Sequence, residues 1–333
     1  MSTKNKVLEL LNNNCNRFLS GQQMAEELYV TRAAIWKAIK SLESEGYPIE
    51  AVTNRGYRLK REFNIPKKDE IILYLQENYA GLIPDNININ VFDEVESTND
   101  SIRTWINDEV CVVIAGSQTK GRGRRGRSFF SPNGTGIYMS VLVHPDIPVS
   151  KATALTCIMA VAICRAIKEV TGIDTQIKWV NDIYYKGKKI AGILTEAVTS
   201  IEDGSVSYVI MGAGINLYEP VEGFPADIKD VAGALLNSQS DEGLGSRLCG
   251  AIIGSFFEIY NNMSEFGYIE EYKRRSLLTG NYVKVMQYGA DNEKLCNSYA
   301  YVEGIDDECR LLVRYDDGTT EKLSTGEVSV VKY

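Results

Sequence analysis

A chain of 333 residues, 44% apolar and 24% charged, holds enough apolar material for a sizeable core and has room for two or three domains. Its formal net charge of −8 weighs against a nucleic-acid partner only until charge is counted by segment: residues 1–66 carry ten Lys or Arg against seven Asp or Glu, so a segment of +3 precedes a body of −11. Seven cysteines (Cys15, Cys111, Cys157, Cys164, Cys249, Cys296, Cys309), with no C-x-x-C pair and a single histidine in the chain, argue against a disulfide framework and structural zinc. The opening MSTKNKVLELLNNN lacks the apolar run of a signal peptide, and no stretch of roughly 18 or more apolar residues offers a membrane span, so the expected location is the cytoplasm.

Ser20-Gly21-Gln22-Gln23 is a capping box, which predicts a short helix with Met24 and Leu28 on one face. Thr31 is placed to cap a second helix running from Arg32 to Glu43. At about 100° per residue, Ile35, Ala38, Ile39 and Leu42 gather on one arc, and Arg32, Trp36, Lys37 and Lys40 on the opposite one. The spacing from Gly21 to Lys40 therefore reads as a helix-turn-helix whose second helix presents a cationic face suited to a major groove. A helix pair that merely packs on a neighbour, with its lysines in water, is the other reading of this stretch. Ile49–Thr53 and Tyr57–Leu59, joined through Asn54-Arg55-Gly56, form a hairpin with Arg55 near its tip, as a wing would. Arg32, Trp36, Lys37, Lys40 and Arg55 are the candidate DNA contacts, most of them to phosphate.

Residues 64–70 bring a proline and a charge cluster and read as a linker, with a helix starting near Asp69. Beyond residue 87, strand-like runs (111–115, 137–143, 209–212) surround one long helix from Lys151 to Lys168. Closely spaced runs at 177–180, 183–185 and 189–197, joined by Asn-Asp and Lys-Gly turns, favour an antiparallel or mixed sheet in an α+β domain.

Gly121-Arg122-Gly123-Arg124-Arg125-Gly126-Arg127 is the densest chemical signal. It matches G-x-G-x-x-G formally, but no helix opens there: Ser128-Phe129-Phe130-Ser131-Pro132 follows and leads to another strand, so the dinucleotide fingerprint is refused. Glycines that allow close backbone approach, set among guanidiniums that pair bidentately, suit an anion such as phosphate or carboxylate. An RNA-binding glycine-arginine tract or a solvated loop without a role are the competing readings. After a helical run from Arg247 to Arg275, five short strand-like pieces between Tyr282 and Val331, punctuated by Asp316-Asp317-Gly318 and Ser324-Thr325-Gly326, suggest a small β-barrel. His144, before Pro145 at a strand end, receives no role.

Four ordered motifs now carry a resemblance. The arginine-glycine loop with Phe129-Phe130-Ser131-Pro132, Ser97-Thr98-Asn99, Lys178-Trp179-Val180-Asn181-Asp182, and Lys189-Ile190-Ala191-Gly192-Ile193-Leu194-Thr195-Glu196, followed by Gly212-Ala213-Gly214-Ile215-Asn216, resemble the biotin protein ligase family. Val180 stands where that family usually carries proline, which removes no functional group. The N-terminal module is similar to the repressor domain of the bifunctional members. The resemblance implies an α+β chain: a winged helix-turn-helix (1–66), a mixed or antiparallel-sheet biotin/ATP-binding ligase domain (67–275) and an SH3-like C-terminal β-barrel (276–333).

By carry-over, Ser97, Thr98, Asn99 and Gln118, with Arg122, Gly123, Arg124 and Lys189, bind biotin. Arg122, Arg124 and Lys189 offset charge as the biotin carboxylate meets the α-phosphate of ATP, and Lys178, Asn181, Asp182 and Asn216 hold phosphates, magnesium or the nucleotide. Implied with them are ATP, Mg2+ entering with ATP rather than a protein-only metal cage, and biotinyl-5′-AMP as both intermediate and corepressor. The implied partners are a biotin carboxyl carrier protein or carboxylase acceptor domain, operator DNA and a second copy of the chain. A monofunctional-type ligase and a lipoate-type ligase remain the alternatives. Simpler roles stand beside these: Ser97 capping a helix, Trp179 in the core, Lys189 on a solvated strand face.

Overall fold

The computed structural model describes residues 2–330 apart from 15, 16, 45, 46, 48, 60–64, 200–204, 221, 238–240, 242, 266, 289–293, 325 and 326. It falls into two compact units, one made of residues 1–63 with the short segments 219–223 and 236–241, the other of the remainder.

The first unit holds α1 (Thr3–Asn13), α2 (Gly21–Glu27), α3 (Arg32–Ser44) and the hairpin β1 (Ile49–Val52) with β2 (Gly56–Leu59). The capping box at Ser20 is formed in both directions, with Gln23 N donating to Ser20 Oγ at 3.1 Å and Ser20 N to Gln23 Oε1 at 3.0 Å. Thr31 Oγ1 caps α3 by accepting from Ala34 N at 3.2 Å. Ile35, Ala38, Ile39 and Leu42 are all buried, and they pack with Val7, Leu10 and Leu11 of α1, a helix the sequence reading passed over. Residue 56 must be glycine here: its φ is +102°, and a Cβ would lie 2.1 Å from the carbonyl oxygen of Leu19, which pairs with Tyr57 and so ties the hairpin to the helices.

The second unit opens with α4 (Lys68–Asn78), whose first turn carries Asp69 and Glu70, the favourable sign for a helix N-terminus. The expected linker through residue 70 is therefore shorter, its acidic residues belonging to α4. The remaining elements before the C-terminal strands are β3 (Asn88–Val95), α5 (Thr98–Ser101), β4 (Val110–Gln118), β5 (Gly136–Val143), α6 (Ala152–Thr171), β6 (Gln176–Lys178), β7 (Asp182–Tyr185), β8 (Lys188–Thr199), β9 (Val206–Asn216), α7 (Leu244–Asn261) and α8 (Gly267–Arg274). Seven strands form one mixed sheet in the order β3-β4-β5-β9-β8-β7-β6, with β3 parallel to β4 and every other neighbour antiparallel.

Two boundaries differ from expectation. The run 177–180 ends at Lys178, and Asp182 begins β7, so only Trp179, Val180 and Asn181 make the turn; the peptide between Trp179 and Val180 is cis. The helical run 247–275 is interrupted after Asn261, because Met263–Glu265 tightens into a single 3-10 turn before α8.

α6 is buried along most of its length, packs on α7 and on β8 and β9, and ends at Gly172, whose left-handed conformation (φ +73°) suits a residue without a side chain. Thr195 of β8 meets Thr156 of α6 at 2.7 Å. Because strand side chains alternate, Leu194 and Glu196 then face the other side of the sheet, and the functional cleft lies there.

The C-terminal strands are β10 (Tyr282–Tyr288), β11 (Lys294–Ile305), β12 (Leu311–Tyr315), β13 (Thr320–Leu323) and β14 (Glu327–Val330). They form a five-stranded antiparallel sheet in the order β13-β12-β11-β10-β14, around Val283, Val285, Ala300, Val302, Leu311 and Val313. Thr325, Gly326 and Val331 of the expected pattern lie outside the described residues.

Candidate functional site

A cleft of about 730 Å³ is lined by Ser97, Thr98, Asn99, Gln118, Arg122, Gly123, Arg124, Lys178, Asn181, Asp182, Lys189 and Asn216 together. Segments separated by more than a hundred residues converge there because β4, β5, β9 and β8 are adjacent strands and their connections open on one side.

At one end lies a buried polar cluster. Ser97 sits at the N-cap position of α5 but makes no side-chain cap bond, so capping does not account for it. Ser140 Oγ donates to Asn99 Oδ1 at 2.7 Å and lies 2.8 Å from Thr98 Oγ1. Asn99 Nδ2 in turn donates to Glu196 Oε2 at 2.9 Å. Gln118 Oε1 accepts from Thr98 N at 2.9 Å, and its Nε2 donates to Ser131 Oγ at 2.9 Å. Thr98, Asn99, Gln118, Ser131 and Ser140 are each anchored by another, the condition under which a buried polar network is rigid rather than costly. Its floor is glycine: a Cβ at residue 212 would lie 2.1 Å from Asn99 Oδ1, and one at residue 214 would lie 2.4 Å from the Phe129 ring.

Next to the cluster stand the cations. The arginine loop is a compact reversal, with Gly123 N donating to Arg127 O at 2.7 Å and Arg125 and Gly126 both at positive φ. Arg122 is held by two carboxylates, Asp100 and, at 2.8 Å, Glu196. Burial works against its charge, yet these carboxylates raise its pKa further. Arg124 donates to Asn181 Oδ1 at 3.0 Å, while Asn181 Nδ2 is fixed on Ile193 O at 2.9 Å. Lys189 pairs with Asp182 at 2.6 Å, so it is no solvated strand residue, and Lys178 lies 5.7 Å from the Tyr184 ring centre. Trp179 is 5% exposed and belongs to the core. At the far end, Asn216 Nδ2 donates to Gly233 O at 3.1 Å.

Sequence reading missed Ser140, Asp100 and the segment 224–235, and gave Glu196, the last residue of the 189–196 motif, no role. Ser140 is a fully buried hydroxyl in the apolar run of β5, which is a legible signal in hindsight. Phe224, Ile228 and Val231 line the cleft, and Lys188 Nζ fastens their segment by donating to Lys229 O and Asp230 O. His144 lies against Tyr208, with ring centres 6.1 Å apart, outside the cleft lining.

In the first unit, Arg32, Trp36 and Lys37 are exposed on α3, Trp36 to 55%. Lys40 is exposed but pairs with Glu43 at 2.6 Å. Arg55 stands over the Phe18 ring at 5.0 Å, beside Arg58 at 4.6 Å.

A helix-turn-helix module and an α+β unit whose cleft brings a buried polar cluster beside convergent arginine and lysine side chains define a two-part protein. Residues 3–58 match a helix-turn-helix domain family, residues 91–216 the biotin/lipoate A/B protein ligase family, and residues 299–331 the biotin protein ligase C-terminal domain. The chain is 34% identical over 328 residues to the bifunctional ligase/repressor BirA of Bacillus subtilis, covering 97% of both chains. It is 31% identical to the bifunctional ligase/repressor BirA of Escherichia coli over 64% of this chain and 63% of that one. A solved biotin protein ligase from Aquifex aeolicus in complex with biotin and ATP superposes with a TM-score of 0.59 at 25% identity, covering 75% of this chain and all of the other. The chain belongs to the biotin protein ligase family, in its bifunctional ligase/repressor branch.

Proposed function

We propose that the cleft joins biotin to ATP, forms biotinyl-5′-AMP with release of pyrophosphate, and passes the biotinyl group to a lysine of a biotin carboxyl carrier protein or carboxylase acceptor domain. The observation that carries this is the buried cluster of Thr98, Asn99, Gln118 and Ser140 directly beside Arg122, Arg124 and Lys189. A flat ureido group needs paired donors and acceptors when buried. A carboxylate oxygen attacking the α-phosphorus, with the bond to pyrophosphate breaking, concentrates negative charge that fixed cations stabilise. In the second step the lysine amine attacks the acyl carbon, loses a proton, and AMP departs.

Before that charge arrives, Asp100 and Glu196 occupy Arg122, and Asp182 occupies Lys189. The substrate anions replace these carboxylates as partners of the cations. Magnesium is assigned to the ATP phosphates: the one carboxylate of the 178–182 segment is already paired, and no group of three potential metal ligands occurs among the described residues, so no step is derived through the ion. Asn216 and Lys178 belong to the nucleotide side.

The first unit is read as a repressor module that binds operator DNA of biotin genes through Arg32, Trp36, Lys37, Lys40 and Arg55, with biotinyl-5′-AMP as corepressor and a homodimer as the DNA-bound form. The three-part division at residues 66 and 275 and a cytoplasmic location go with this reading. Among the described residues no helix is long and apolar enough to cross a membrane. Mass spectrometry of an acceptor domain incubated with ATP, biotin and competing lipoate tests the reaction. One biotinyl increment is expected; preferential lipoylation, or no increment, overturns it.

A further inference from the structure

We infer that the C-terminal sheet positions the nucleotide side of the cleft through one hydrogen bond, from the indole Nε1 of Trp179 to the carbonyl oxygen of Cys309. This rests on the adenylate-forming reading above and assigns positioning roles to Trp179, Cys309 and Tyr272.

The turn between β6 and β7 presents Lys178, Asn181 and Asp182 to the cleft, and Asn181 also holds Arg124. Three residues are too few to fix such a turn by their own backbone pairing. Asn181 is tied to β8, its carbonyl accepting from Ile193 N and its Nδ2 donating to Ile193 O, each at 2.9 Å; the ties of Trp179 and Val180 come from further along the chain. Trp179 Nε1 donates to Cys309 O at 2.8 Å, and Tyr272 Oη donates to Val180 O at 2.9 Å, both bonds buried. The backbone of Ile177 is paired with α8's exit, Ile177 N donating to Arg275 O and Leu277 N to Ile177 O, each at 2.8 Å.

The acceptor is built for its task. Cys309 lies in the turn between β11 and β12 with φ +61°, a conformation glycine adopts far more readily than cysteine. Asp306 holds that turn by accepting from Glu308 N at 3.0 Å, Arg310 N at 2.9 Å and Arg310 Nε at 2.8 Å. The Cys309 side chain is itself buried. A turn pinned at both ends and packed underneath leaves its carbonyl in one direction, and the Trp179 indole meets it.

The biotin side is held differently. Asn99, Gln118 and Ser140 are anchored by residues of α5, β4, β5 and β8. Loss of the Trp179 bond therefore loosens the turn that carries Lys178, Asn181 and Asp182, while the buried cluster of Asn99, Gln118 and Ser140 keeps all of its anchors.

The test compares Trp179→Phe, Tyr272→Phe and Cys309→Gly in the full-length protein with wild type. Hydrogen exchange of the ligand-free proteins reads the tie itself, and initial rates of biotin-dependent pyrophosphate release read its consequence. Trp179→Phe and Tyr272→Phe are expected to speed exchange at residues 178–182 but not at 97–99. They raise the KM for ATP about fivefold to tenfold, the effect of one buried hydrogen bond, and leave the biotin constant within about twofold. Cys309→Gly keeps the carbonyl and suits the left-handed turn but removes the buried side chain that packs it, so it is expected to speed exchange at 178–182 less than Trp179→Phe does. Unchanged exchange at 178–182 in Trp179→Phe overturns the proposal, as does equal weakening for ATP and biotin, which would mark general loosening. An inactive wild type would sink the ligase reading alone, since the exchange measurement still decides the tie.

Discussion

Gly212 and Asn99 meet so closely that residue 212 has no room for a side chain: a Cβ there would stand 2.1 Å from Asn99 Oδ1 and 2.9 Å from its Cγ. Asn99 cannot retreat, because Ser140 and Glu196 grip its two ends. Overpacking of this kind costs about 1–3 kcal/mol. Gly212→Ala is therefore expected to weaken biotin binding by roughly tenfold or more, since about 1.4 kcal/mol is one factor of ten. Calorimetric titration with biotin checks it, and an unchanged Kd in a folded variant would show that Asn99 is not part of the recognition cluster.

Lys189→Met addresses the reaction rather than recognition. The substitution keeps the length of the side chain and deletes the ammonium that faces Asp182 at 2.6 Å. Removing one preorganised charge-stabilising donor costs about 10² to 10³ in rate. Biotin-dependent pyrophosphate release should fall by that order. A rate within threefold of wild type would remove Lys189 from the charge-stabilising set.

Legibility in the sequence followed the range of the interaction. The faces of α3 were readable because helical period alone decides that Ile35, Ala38, Ile39 and Leu42 turn inward. The Ser20 capping box and the 49–59 hairpin are equally local. Apart from β3, the strands of the large sheet were readable too, but not their order, since β9 lies between β5 and β8 and only tertiary pairing puts it there. Glu196 and Ser140 escaped for the same reason: each matters through Asn99, a residue distant in sequence. A helix start near Asp69 is legible from the local charge, but not that Glu70 accepts from Ser246 Oγ at 2.6 Å, the bond that first lowers its pKa, with Lys67 next.

Acid stability should report on α8. Burial opposes ionisation of Glu271, but hydrogen bonds from Arg165 and Arg275 outweigh it and hold the carboxyl below its ordinary value of 4.5. A carboxyl depressed in the folded state contributes stability that is fully present above that ordinary value and is lost as pH falls through the lower folded one. Melting curves of wild type should therefore steepen in their decline below about pH 4.5. Glu271→Gln should melt lower at neutral pH and show a flatter decline through the acid window. Parallel curves for the two proteins would assign the acid sensitivity to other carboxylates.

The α3 face makes a graded prediction for DNA binding. Arg32 and Lys37 are exposed cations, whereas the Lys40 ammonium already lies 2.6 Å from the Glu43 carboxylate. Each phosphate contact releases condensed counterions and contributes about 0.9 to the slope of log K against log salt. Arg32→Ala and Lys37→Ala should each flatten that slope by about one, measured on a duplex from the organism's own biotin-gene promoter with biotin and ATP present. Lys40→Ala should flatten it less, because in wild type Glu43 already competes with phosphate for the Lys40 ammonium. Trp36→Ala removes apolar surface rather than charge, so it should weaken binding without changing the slope. Equal slopes for all four variants and wild type would mean that DNA, if bound, is met by another face.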